Sequence, residues 1–137
     1  MIEVQEKFDF HDPRIGNINK LDYTKYYDKL DRALKDGGNL YTVKDILKAI
    51  SESRMQSFAE GNTWAITEVN TFPNRKIVTI AYVVGDLKDA ELLHDRVIDF
   101  AKSVGATMVK AFGRTGWVKA AEKNGWTGAG HVYCKEI

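Results

Sequence analysis

The stretch 76–84, KIVTIAYVV, limits the fold more than any other part of the chain. Its β-branched residues Ile77, Val78, Thr79, Ile80, Val83 and Val84 follow one another with almost no polar interruption. Such a run predicts a central strand buried on both faces, because a strand with one wet face would alternate. The period then changes. Between residues 89 and 104, Leu93, Val97, Phe100, Ala101 and Val104 make one helical face, opposed by Asp95, Asp99 and Lys102, and Gly105 stops the helix. Residues 107–112 form a short apolar strand again. Strand, helix and strand in that order call for a crossover, which is right-handed in nearly all proteins.

The preceding residues build towards this unit. Tyr23, Tyr26, Tyr27, Leu30, Ala33 and Leu34 recur at helical spacing until Gly37-Gly38. Thr42 is placed to cap a second helix, with Asp45 three residues on and a buried stripe of Val43, Ile46, Leu47 and Ile50. A short strand holding Met55 and Phe58, a turn at Gly61-Asn62 and an alternating strand over 63–69 lead through a second turn at 71–74 into residues 76–84, giving a three-strand meander. After residue 112 the pattern predicts a loop at 113–116, a short helix at 117–124 stopped by Gly125, and a last strand at 130–137. Residues 1–20 read as an extended N-terminal arm and 21–137 as a single domain.

The chain has 20 basic and 19 acidic residues among 137, a net charge of +1, so no overall field draws it to nucleic acid or to anionic lipid. No apolar segment approaches the roughly 20 residues that span a bilayer, and residues 1–6 lack the features of a signal peptide. Cys134 has no second cysteine to pair with, and its setting predicts a buried or half-buried thiol in a reducing compartment. His11, His94 and His131 are far apart in sequence, so no metal site is expected.

The order of elements, together with LLHDRVIDFAKSVG at 92–105, the strand at 107–111 and Glu122-Lys123-Asn124-Gly125-Trp126, resembles the GNAT family of N-acyltransferases. The last run is similar to the E-K-x-G-F signature that ends the family's short helix. Gly113-Arg114-Thr115-Gly116-Trp117, in a chain of this length, further resembles the small GNAT-like proteins encoded beside bacteriophage head and tail genes. The resemblance implies an α+β GNAT-like acyl-CoA N-acyltransferase fold, a mixed central sheet flanked by helices. It also implies a cofactor seat where the sheet splits, at Val83, Val84 and Gly85, with the pyrophosphate at the N-terminus of the crossover helix.

Residues needed for that chemistry are only partly present. The family pattern R/Q-x-x-G-x-G/A is replaced by Val84-Gly85-Asp86-Leu87-Lys88-Asp89-Ala90-Glu91, with one glycine and three carboxylates that suit an empty helix N-terminus and repel a phosphate. Where many members carry a tyrosine that protonates the leaving thiolate, this chain has Ala121. Glu68 is the carboxylate best placed for a general base, against a reading as a solvent-facing strand residue. Tyr133 could supply the acid, against a reading as an interior aromatic. Arg114, between glycines, could hold an anion or a partner's carboxylate, or pair locally, and Trp117 could anchor an interface.

Two functions are therefore expected. The first is a virion or assembly accessory protein, located in the host cytoplasm or the virion, that acts through contacts with other virion or assembly proteins and needs no cofactor, membrane or nucleic acid. The alternative is a divergent N-acetyltransferase that moves an acyl group from acetyl-CoA to an amine, with Glu68 as base and water or Tyr133 as acid.

Overall fold

The computed structural model describes residues 23–60, 62–112, 118–130 and 132–137. The N-terminal arm, Arg114 and Trp117 lie outside them. Two helices, α1 (Tyr23–Asp36) and α2 (Val43–Ser51), precede strands β1 (Gln56–Glu60), β2 (Thr63–Thr71) and β3 (Lys76–Val84). Helix α3 (Leu87–Ser103), strand β4 (Met108–Ala111) and helix α4 (Val118–Lys123) follow. The sheet order is β1-β2-β3-β4, antiparallel for the first two pairings and parallel for the last. This is the expected mixed sheet, with the expected crossover helix.

Local chemistry sets the helix boundaries. Thr42 and Asp45 form a reciprocal capping box: the Thr42 hydroxyl accepts from the Asp45 amide at 3.1 Å and Asp45 accepts from the Thr42 amide at 2.9 Å. At the end of α1 the Gly37 amide bonds to Ala33 and the Asn39 amide to Leu34. Gly38 there takes a φ of +101°, which a side chain would resist.

The sheet separates two cores. On one face, Tyr26, Leu30 and Leu34 of α1 and Val43, Ile46, Leu47 and Ile50 of α2 close over Ala59, Trp64, Ile66 and Val84. On the other, Leu93, Val97, Phe100 and Ala101 of α3 pack on Phe58, Ala65 and Val78. Buried polar groups are paired across β1 and β2: the Trp64 indole donates to Ser57, and Thr67 to Gln56 at 2.9 Å.

One irregularity governs everything downstream. Ile66 lies opposite Tyr82 and Thr67 opposite Ile80, so Ala81 is an extra residue in β3. This β-bulge breaks the alternation. Val78, Ile80 and Val83 face α3, whereas Tyr82 and Val84 face α1 and α2.

Three expectations are corrected. Residues 132–137 form no strand, since among the described residues β4 pairs only with β3 and an alternating segment needs a neighbour to complete its ladder. Cys134 is exposed for the same reason. Strand β3 is fully buried at Ile77, Val78, Thr79 and Val84 but only half-buried from Ile80 to Val83, and β4 ends opposite Ile80.

Candidate active site

Strands β3 and β4 are fastened at one end. The Thr107 amide donates to the Lys76 carbonyl at 3.0 Å, the Arg75 guanidinium bonds both the hydroxyl and the carbonyl of Thr107, and Lys76 Nζ reaches the Val104 carbonyl at 2.9 Å. Pairing then runs from Ile77 with Met108 to Ile80 with Ala111 and stops. Among the described residues, 81–84 have no partner on the β4 side.

This strand edge leads into the turn before α3. Gly85 has a φ of +119° and its α-carbon lies hard against the Asn62–Thr63 backbone, where any side chain would collide. The Thr63 hydroxyl donates to the Asp86 carbonyl at 2.8 Å, which holds the turn to the start of β2. Asp86 is the N-cap residue, yet its side chain makes no capping hydrogen bond. Asp86 and Glu91 are both exposed. The expectation that the acids here cap the helix therefore fails for Asp86, whose extended backbone (φ −89°, ψ 138°) suits a cap but whose carboxylate lies in solvent. The helix N-terminus keeps its partial positive charge uncovered by that group.

Glu68 is half-buried on β2, opposite Thr79, on the face that carries α1 and α2. Its neighbour on that face is Tyr82, which the alternating pattern of β3 had concealed. By strict alternation Tyr82 would share the α3 face with Val78 and Ile80, and only the bulge brings it beside Glu68. Tyr82 also packs against the end of α1: a β-carbon on Gly37 would stand 3.6 Å from its ring. Burial, and then the nearby Tyr41 and Glu68, push the Tyr82 phenol above its ordinary value of 10.0. It stays a neutral hydroxyl at physiological pH.

Tyr133 was the other residue expected at the site. It is 88% exposed on the irregular C-terminal segment, which removes the interior-aromatic reading. His94, by contrast, has a definite place. Its Nδ1 lies 3.1 Å from Asp95, and its Nε2 accepts a hydrogen bond from the Trp126 indole at 3.0 Å. Together they tie the exit of α4 to α3. The 32-residue separation left no signal of this pair in the sequence. Among the described residues no group of three or more His, Cys, Asp or Glu could hold a metal, and no helix is long and apolar enough to cross a membrane.

Comparison with solved structures defines the class of fold. The chain is similar to a ribosomal-protein-alanine N-acetyltransferase of Brucella melitensis biovar Abortus 2308, with a TM-score of 0.59 and 10% identity over 85% of this chain and 94% of that one. It is also similar to an acetyltransferase of Trypanosoma brucei, with a TM-score of 0.55 and 16% identity over 81% and 94%. No protein-family model and no curated protein sequence matches it. The chain has the GNAT acyltransferase fold, as the resemblance in its sequence implied.

Proposed function

We propose that the chain binds an acyl-coenzyme A at the strand edge where β3 and β4 part and transfers the acyl group to an amine. The observation that carries this reading is the continuity of the open strand edge at 81–84 with the start of α3. Two successive amides of a pantetheine arm match the hydrogen-bonding groups of such an edge, as an added strand does. A pyrophosphate then falls at the helix N-terminus, where backbone N–H groups and the helix dipole favour negative charge.

Val83, Val84 and Gly85 would hold the cofactor. Glu68 would take the proton from the attacking amine. Asp86 works against binding, because its charge stands at the mouth of the seat. Two unit charges about 4 Å apart in water interact by about 1 kcal/mol, so Asp86→Asn should tighten coenzyme A binding by about fivefold. Calorimetry on the native chain tests the reading directly, with no binding at millimolar coenzyme A as the outcome that removes it. With binding in hand, Glu68→Gln should lower turnover by about 10²-fold at unchanged affinity.

A second reading, a virion or assembly accessory protein acting through protein contacts without a cofactor, draws on a different observation. Ala121 offers no proton, and Met108, Phe112 and Val132 are exposed in the last third of the chain. Exposed apolar groups of this kind suit a partner surface. This reading expects a silent calorimetric titration with coenzyme A and a stable complex with another assembly component.

A further inference from the structure

We propose that His94 is a pH-sensitive latch. As a neutral ring it holds Trp126, and with it the exit of α4, against α3, and protonation of the ring lets that segment go.

The hydrogen bond fixes the protonation state. An indole N–H can only donate, so Nε2 of His94, 3.0 Å from the Trp126 nitrogen, carries a lone pair and no proton. The proton of the neutral ring then sits on Nδ1, 3.1 Å from Asp95 Oδ1, and is donated to that carboxylate. The two rings also meet edge to face, with centroids 6.0 Å apart and planes at 64°. The His94 side chain is only 23% exposed and Trp126 is half-buried, so water does not readily replace either partner. A second proton turns Nε2 into a donor. Two N–H groups then face each other, and the Trp126 group loses its acceptor.

The backbone shows what the tie holds. Past α4 the amides of Asn124 and Trp126 both bond to the Ala121 carbonyl, and the Gly125 amide bonds to Glu122. The Trp126 ring is thereby coupled to the last turn of α4. Helix α3 is anchored to the sheet independently, through Leu93, Val97, Phe100 and Ala101, so the part free to move is the exit of α4.

The surrounding charges do not override the switch. Among the described residues, Asp95 is the charged group within ion-pair distance of the ring; it attracts a protonated ring, but its side chain is 94% exposed and screened by water. Glu91 on α3 and Lys119, Glu122 and Lys123 on α4 are exposed, and Arg96 is paired with Glu60 of β1 at 3.0 Å. The tie is present while the ring is neutral and is lost as pH falls through the range in which histidines take up a proton, about pH 8 to 5.

NMR on the full chain tests this by following the Trp126 indole N–H across that range, the resonance being identified by its loss in Trp126→Phe. Hydrogen exchange over residues 118–126, corrected for the intrinsic effect of pH, reads the release. The indole resonance should shift upfield with the same midpoint as the His94 ring carbons, and the segment should exchange about tenfold faster at the acid end. His94→Gln, whose amide oxygen accepts the indole proton but takes up none itself, should leave both readouts flat, and circular dichroism checks its fold. An indole resonance that ignores the His94 titration, a flat exchange rate in the native chain, or the native response persisting in His94→Gln or in Trp126→Phe each overturns the latch. Faster exchange that spreads equally to β2 overturns it too, because the whole fold has then loosened. Neither readout involves coenzyme A, so the latch stands or falls apart from the acyltransferase reading.

Discussion

Replacing Gly85 with alanine should be among the most damaging single changes in this protein. The position has a φ of +119°, and a β-carbon there would overlap the Asn62 carbonyl oxygen and lie 2.7 Å from the Thr63 α-carbon. Both obstacles are backbone, so neither can rotate away. Holding a side chain in that backbone region costs about 1–3 kcal/mol, and displacing the packed neighbour costs about 1–3 kcal/mol more. The sum, about 4 kcal/mol, is a large share of the roughly 5–15 kcal/mol that holds a domain folded. At about 3–5 °C per kcal/mol for a domain of this size, the melting temperature should fall by about 12–20 °C. Gly105 provides the control, because it also has positive φ (+79°) but nothing lies within 4 Å of its would-be β-carbon. Gly105→Ala should therefore cost only about 1–2 kcal/mol of backbone strain. Urea and thermal unfolding of both variants make the comparison, with an unchanged urea slope confirming that the same cooperative unit is measured. Losses equal to within about 1 kcal/mol would refute the claim that the Gly85 turn is pressed against the start of β2.

Ile66→Ala, at a wholly buried position facing α1 and α2, should cost about 2–5 kcal/mol in urea denaturation. Thr42→Ala should remove about 1 kcal/mol by breaking the capping box of α2. Asp45 is held below its ordinary pKa of 3.8, first by the Thr42 amide. Its contribution is therefore present above pH 3.8 and lost as pH falls through the lowered value, and Asp45→Asn should flatten that acid slope in unfolding experiments. Tyr82 works in the opposite direction. With its pKa raised above 10.0, its contribution is complete below pH 10.0 and lost as pH climbs through the raised value. Tyr82→Phe should remove that alkaline slope.

What was legible in the sequence was whatever depends on near neighbours. The period of α3, the stop at Gly37-Gly38, the Thr42–Asp45 cap and the turn ahead of β3 each need only a few adjacent residues, and each is where the pattern put it. The order of the elements was also legible, because each element's period is local. The closing strand at 130–137 was not, because a strand requires a partner that the segment itself cannot supply. Asp86 shows the reverse case. The right residue type stands at the N-cap, but the turn directs its carboxylate into solvent instead of onto the helix amides.

The sequence by itself determined a mixed sheet and its crossover helix, since these follow from the period of near neighbours. Only the tertiary structure decided which residues meet. One extra residue at Ala81 shifts the second half of β3 by half a pleat, and Tyr82 passes from the α3 side to the side of Glu68. A strand's alternation is a strictly local rule, whereas the bulge arises from how two separate strands come into register at Ile66 and Tyr82.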